Sequence, residues 1–523
     1  MGVFWTGLKY VFRDFSCWTS THGVPHIGMA NNRWLRLFWI VVVVGSLAAF
    51  LWQFIILLQK YLSFSVNTET VLQFAERTFP VVTICHLNAW KAKETQAMDP
   101  KMARLISAYN TNGASTEFGW GARLDSERQK RAALWALLYS ERLHQSVESG
   151  LPISYSYSDM VVSCTYNAKT CNETNFISFY NPTYGTCQQF NFGGEFISSR
   201  AGPLYGLRMV LRTDQADYLP WTETSGVIMV IHTQDEVPYP DVFGYFAPPG
   251  TASSLGVNYV STSRLGKPYG TCTTQKTLTT THYTGNYTVE ACFRSCMQEK
   301  IVTECGCYDP AYSHAENSTA SCDTYGDPST NLACIDEINN PDTSVFNIIS
   351  ECNCPQPCNV DSYSVTVSTA LWPATGYTPT ECGPAANTSK PWLETEDTCI
   401  SWYQKNTLLI EIYYERMNYQ VLTESPAYTL VNFISDIGGQ VGLFLGMSII
   451  SVIEFLTLFF LLGFYCATHK SRRMQIEELE VDINKAKDHA DSVAAKARKH
   501  ELDNHAFYSD AGDPVPPRPA DAP

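Results

Sequence analysis

Charge is what this 523-residue chain does without over two long stretches. From Leu37 to Gln59 there is no charged residue, and between residues 437 and 468 the only one is Glu454. At about 1.5 Å of rise per helical residue, either run exceeds the ~30 Å hydrocarbon core of a bilayer, so both read as membrane spans. No small-residue cleavage site follows the first run, which excludes a removed secretory signal. No fixed-period repeat is present. No Ser, His and Asp set or metal-ligand motif stands above chance spacing, so an extracellular hydrolase has no support and the chain is not read as an enzyme.

What is there sorts by side of the membrane. Lys9, Arg13, Arg33 and Arg36 precede the first run, and Lys470, Arg472 and Arg473 follow the second, which places both flanks in the cytoplasm. The intervening loop is then extracellular. It holds four glycosylation sequons, at Asn172, Asn286, Asn317 and Asn387, and 16 of the 18 cysteines, all but Cys17 and Cys466. An even number of exterior cysteines suits eight disulfides in an oxidising compartment. The loop also carries the whole net charge of −15, with 22 Lys plus Arg against 37 Asp plus Glu from Tyr61 to Leu430. Such a surface concentrates cations near a pore mouth, although an ordinary solvated acidic face has the same composition.

The expected divisions are a cytoplasmic head at 1–36, a transmembrane helix at 37–59, an extracellular domain at 60–430, a second helix at 431–467 and a cytoplasmic tail at 468–523. Within the loop, Phe79 to Cys85, Leu207 to Leu211, Gly226 to His232 and Leu408 to Tyr414 read as strands, and residues 92–147 favour helix. Residues 474–501 mix acids, bases and Ala and read as a solvated helix. The end, Pro514 to Pro519, has a polyproline composition.

Two spacings in the cysteine-dense section, Cys272 to Cys399, match. Cys292 and Cys296 are one helical turn apart, about 6 Å, and Cys352 and Cys354 are about 6.6 Å apart on one face of an extended strand. An antiparallel staple pairs Cys292 with Cys354 and Cys296 with Cys352. Spacing alone leaves other connectivities open, with zinc ligation as the rival reading.

In the second span, Gly438, Gly442 and Gly446 recur every four residues on one helix face. Taken alone they indicate tight helix packing through small residues. Glu454 costs roughly 2.5–3.5 kcal/mol at a bilayer centre, and a lone acid with no basic residue in its span points to an ion path.

The chain resembles the degenerin/epithelial sodium channel family, in its branch of acid-sensing and neuropeptide-gated channels, over about residues 20–467. Thr21-His22-Gly23 is similar to the motif before the family's first helix, and Phe79 to Cys85 to the segment after it. Asp436 to Gln440 and Gly446-Met447-Ser448 are similar to the second-helix signature and the Gly-x-Ser filter. The resemblance implies an α+β membrane protein, a homotrimer whose two transmembrane helices flank a disulfide-rich extracellular domain of palm, thumb, finger, knuckle and β-ball. It implies pairs Cys85 to Cys187, Cys164 to Cys171, Cys272 to Cys358, Cys292 to Cys354, Cys296 to Cys352, Cys305 to Cys334 and Cys307 to Cys322. Cys382 and Cys399 remain, and an eighth pair between them is expected.

The resemblance also assigns roles. Gly446, Met447 and Ser448 would leave helical geometry and present carbonyl rings to sodium, the permeant species, with no cofactor. Glu454 would form a carboxylate ring deeper in the pore. His22 and Gly23 would line a re-entrant inner segment. Ser435 matches the degenerin position and Gly442 the position that sets amiloride sensitivity. Arg128-Gln129-Lys130-Arg131 resembles a furin-type site, of the kind that activates some epithelial members, although basic residues on a helix are usually a solvated face.

The expected partners are lipid bilayer, two further subunits and an extracellular ligand, with no nucleic acid; the expected location is the plasma membrane. For gating, the histidines of acid-sensing members are absent from Tyr61 to Thr70. Asp235 and Glu236 match part of the family's acidic pocket, with Asp336 expected to face them, while Asn340 stands where a further acid is spaced. The Lys60 to Phe64 junction is closer to peptide-gated members, so the ranking is neuropeptide or other ligand, then protons, then constitutive leak. A purinergic-type receptor shares the topology but needs a lysine cluster, and only 10 of the 370 loop residues are Lys. A non-channel two-span receptor leaves Glu454 unexplained.

Overall fold

The computed structural model describes residues 2–111, 113–121, 125–275, 281–315, 320–340, 346–383 and 399–507. The chain divides into two units, Val66–Ala427, and Met1–Ser65 together with Tyr428–Pro523.

The first unit is built on two sheets. The larger has the strand order Val66–Phe74, Asn418–Pro426, Thr251–Ser263, Thr407–Tyr414, Leu207–Arg212, Val161–Tyr166, Lys169–Thr170, with Asn359–Leu371 also pairing with Thr251–Ser263. Leu207–Arg212 alternates, with Leu207, Met209 and Leu211 buried, as a sheet with one covered face requires. The smaller sheet runs Tyr245–Ala247, Val227–His232, Val81–His86, Gly185–Phe190, Phe176–Asn181. Its central strand, Val81–His86, is buried throughout. That strand starts two residues later than the sequence suggests, because Pro80 has no N–H for the ladder.

Phe79, Ile84, Phe190, Leu211, Val227 and Ile410 belong to a core packed between the sheets. The helix-favouring section forms Ala92–Met98, Pro100–Asn110, Asp125–Leu138 and Ser140–Glu148. These helices bury Met102, Leu105, Trp135 and Leu143 in a second cluster that includes Ile301 and Leu332. Asp99 caps Pro100–Asn110 by accepting from the Met102 N–H at 2.8 Å, and its carboxylate also pairs with Arg142. Eight disulfides join the pairs set out above, including Cys382 to Cys399. Cys292 and Cys296 lie on the helix Val289–Cys305, stapled antiparallel to the segment through Cys352 and Cys354. Val66 pairs with Pro426, so the two ends of this unit lie side by side.

The second unit is helical: α1 (Gly2–Trp18), α2 (Val24–Met29), α3 (Arg33–Leu62), α4 (Leu430–Leu445) and α5 (Ile449–Phe507). Two candidate spans, Arg33–Leu62 and Ile449–Thr468, are long and apolar enough to cross a membrane. α3 overruns the expected 37–59 at both ends, because Asn32 caps its start by accepting from the Trp34 N–H and no helix breaker follows Gln59 before Ser63. Over the expected second span, 431–467, the chain forms two helices, with residues 446–448 non-helical between them, the position at which the resemblance implies a departure from helical geometry. α5 then continues well past Cys466 through the mixed-charge segment to Phe507.

Candidate functional site

The interruption has a local cause. Gly446 adopts φ +59°, a left-handed conformation that ends α4 and that a residue with a Cβ enters only with strain. α5 then restarts with a capping contact, the Ser451 Oγ accepting from the Ser448 N–H at 3.1 Å. Gly446, Met447 and Ser448 thus form a short non-helical connection with α-helix on both sides.

The N-terminal segment packs against it. The His22 N–H donates to the Leu445 carbonyl at 3.1 Å, and a Cβ at Gly446 would run into the His22 imidazole. Gly23 has φ +83° and lies against Val43 of α3, so this turn needs glycine for conformation and for space. The commonplace His-Gly turn is therefore an inter-segment contact in this chain.

Glu454 lies on the second turn of α5, half-buried. Its Oε2 accepts from the Ser20 N–H at 2.7 Å, the Thr19 Oγ1 at 3.0 Å and the Ser20 Oγ at 3.1 Å. The Ser20 and Ser451 hydroxyls are 2.6 Å apart. Each hydroxyl has one proton to give, so one assignment satisfies all these contacts: Ser448 N–H to Ser451, Ser451 O–H to Ser20, Ser20 O–H to Glu454. This chain of donors runs from the interrupted backbone to the span's only acid. Thr19, Ser20 and Ser451 were not singled out by sequence, because a Ser or Thr near a helix end carries no mark of a partner more than 400 residues away.

The small residues of α4 do not pack within the chain. Gly438 and Gly439 have no atom within contact distance of a Cβ, and the Met447 carbonyl at 4.0 Å is the nearest to one at Gly442. Helix α4 meets α3 through Phe433 instead, which stacks on Tyr61 at 5.0 Å and approaches Phe54 at 6.3 Å. Ser435 is exposed on α4. Among the described residues the face with Gly438 and Gly439 is uncovered, as is Ser435.

The three acids expected in an acidic pocket each have other partners in the structure. Asp336 pairs with Arg131 at 3.3 Å and Lys130 at 3.6 Å. Glu236 accepts from the Thr233 hydroxyl at 2.8 Å, burial raises its pKa, and Asp235 gives its carbonyl to the Asn286 N–H. Glu236 borders a different cavity of about 530 Å³, shared with Arg264, Asn286, Tyr287, Gln356 and Asp361. Asp336 is instead neutralised locally, by two basic side chains of Asp125–Leu138. The same helix contains all of Arg128 to Arg131, with Arg128 over the Tyr109 ring at 4.8 Å. Of the sequons, Asn172 and Asn286 are exposed, while Asn317 and Asn387 lie outside the described residues.

Comparison with known proteins bears on this geometry. Residues 15–458 match the family model described as amiloride-sensitive sodium channel. Degenerin-like protein asic-2 of Caenorhabditis elegans is 30% identical over 502 residues, covering 91% of each chain. Degenerin del-1 of the same organism is 38% identical over 377 residues, covering 70% of this chain and 54% of its own length. A solved proton-activated chloride channel covers 81% of this chain and 97% of its own at 6% identity and a TM-score of 0.30, too low to carry an argument. The chain therefore belongs to the degenerin/epithelial sodium channel family, whose members are membrane cation channels that assemble as oligomers and are not enzymes.

Proposed function

We propose that the chain forms a trimeric, sodium-selective, amiloride-sensitive channel of the plasma membrane, with both termini cytoplasmic, opened by an extracellular ligand. The observation that carries this reading is the break at Gly446-Met447-Ser448, buttressed by His22 and followed by Glu454. The Ser448 carbonyl accepts from the Val452 N–H at 3.2 Å, so the Gly446 and Met447 carbonyls are the ones that would replace the hydration shell of sodium, and three copies would close the ring. Glu454 would add an acid ring beneath it, with one oxygen committed to the N-terminal segment. Gly442 is the amiloride-setting position, and Ser435 the one where bulk holds the pore open.

For the stimulus, a neuropeptide or other extracellular ligand ranks above protons. Protonation of facing carboxylates needs those carboxylates together, and Asp336 is spent on Lys130 and Arg131. The buried histidines are also poor sensors in mild acid, since desolvation lowers both His86 and His232 to about 4. The cavity bordered by Glu236 is available to a ligand on this face.

Two-electrode recording tests the proposal, with amiloride, pH steps and a panel of amidated neuropeptides. Sodium current blocked by amiloride is expected, and Glu454→Gln should alter conductance or selectivity. Absence of current under all conditions, even with Ser435 replaced by a bulky residue, overturns the homomeric channel.

A further inference from the structure

Helix α5 is 59 residues long, whereas a bilayer needs about 20. The span accounts for Ile449–Thr468, and the rest continues without a break for about 58 Å at 1.5 Å per residue. In that extension the apolar residues follow a seven-residue period. Ile476, Ile483 and Ala490 take one position of the heptad and Leu479, Ala486 and Val493 the other, three or four residues apart in alternation. This is the seam pattern of a coiled coil rather than of a helix packed on a globular core. Within 481–498 every residue is exposed in the single chain, Ile483 at 57% and Val493 at 52%, so the stripe is uncovered. Met474, Val481 and Leu502 are large apolar residues off the seam.

We infer that this stripe is covered by the same stripe of the neighbouring subunits, as a parallel, in-register coiled coil that extends the pore helices beyond the membrane. Two observations choose that occupant. The helix is continuous with the second span, so every copy in one channel sends it out in the same direction and from the same depth. The flanking charges fit that arrangement: in the sequence Asp482 stands five positions before Lys487 and Lys496 five before Glu501, the offset at which flanking positions of neighbouring helices meet in a parallel coil. Alanines at two of the six seam positions make the coil weak alone, but tethering by the membrane segments converts association into an intramolecular event. The inference rests on the oligomeric channel proposed above.

The test is cysteine crosslinking of the full-length protein in membranes, in a Cys17→Ser, Cys466→Ser background. Ala486→Cys, Ala490→Cys and Val493→Cys place a thiol on the seam, and Asp488→Cys and Ala495→Cys place one on the outer face. Oxidation is expected to link the seam variants roughly tenfold faster than the outer ones. Asp482→Lys should slow that reaction and Lys487→Asp in the same chain should restore it. Equal rates at seam and outer positions, as a helix lying on the lipid surface would give, overturn the coil. So does absence of seam crosslinks in particles that stepwise photobleaching counts as multimers, which leaves the channel standing. One copy per particle removes the oligomer and the coil with it.

Discussion

Acid should loosen the extracellular unit through His86 and His232, by an amount the structure sets. His86 is buried and stacked on Tyr155 at 3.9 Å, with its Nε2 2.9 Å from the Thr213 carbonyl and its Nδ1 3.0 Å from the Asn88 nitrogen that donates to it. His232 is buried beside the Thr83 hydroxyl at 2.8 Å. Desolvation lowers each from 6.5 to about 4. The unfolded chain therefore takes up protons first as pH falls, so each histidine's contribution is fully present above 6.5 and is lost on the way down to 4. Between pH 7 and pH 5 that loss is about 1.8 kcal/mol per histidine, or roughly 2 °C in Tm for a unit of roughly 360 residues.

Buried carboxyls work in the opposite direction. Burial raises Asp309 to about 6, so its protonation over the same interval returns about 1.3 kcal/mol, and Asp217 and Glu236 are raised as well. The parent protein's own pH dependence is thus a poor measure, and the difference between variants is the informative one. In thermal melts of the full-length protein, His86→Gln and His232→Gln should each shrink the drop in Tm between pH 7 and pH 5 by roughly 2 °C, whatever their effect at pH 7. An unchanged drop in both refutes the reasoning.

Replacing Gly23 or Gly446 with Ala forces a Cβ into a left-handed turn and against Val43 or His22, at about 1–2 kcal/mol of backbone strain plus crowding; current should be lost with surface expression retained, and normal current would count against a filter there. Ser20→Ala with Ser451→Ala removes a donor to Glu454 and the hydroxyl that links it to Ser448, and so weakens the hold on the N-terminal segment. Modification of the exposed Cys17 by a cytoplasmic thiol reagent should then quicken; an unchanged rate would detach the N-terminal segment from Glu454. Furin coexpression should release no fragment ending at Arg131, because that residue sits in a helix and is paired with Asp336; a fragment of that size would overturn the solvated-face reading.

How much of this was legible in the sequence depends on the range of the interaction. The cysteine staple was readable because helix and strand periods convert spacing into distance, and both distances near 6 Å had to match. The strands were readable from alternation and apolar runs, with Pro80 marking where the ladder could not begin. The break at Gly446 was visible only through a resemblance, since glycine at that position serves packing and chain reversal equally well. The pairing of Asp336 was hidden for a different reason: an acid's partner is whichever base tertiary structure brings near, and Lys130 and Arg131 are over 200 residues away. Ser20 is the extreme case, a hydroxyl whose local sequence predicts only a turn, yet which donates to Glu454 across 434 positions. The carboxylate was recognisable because burying a charge in a membrane segment demands an explanation. Its donors were not, because a hydroxyl costs little anywhere.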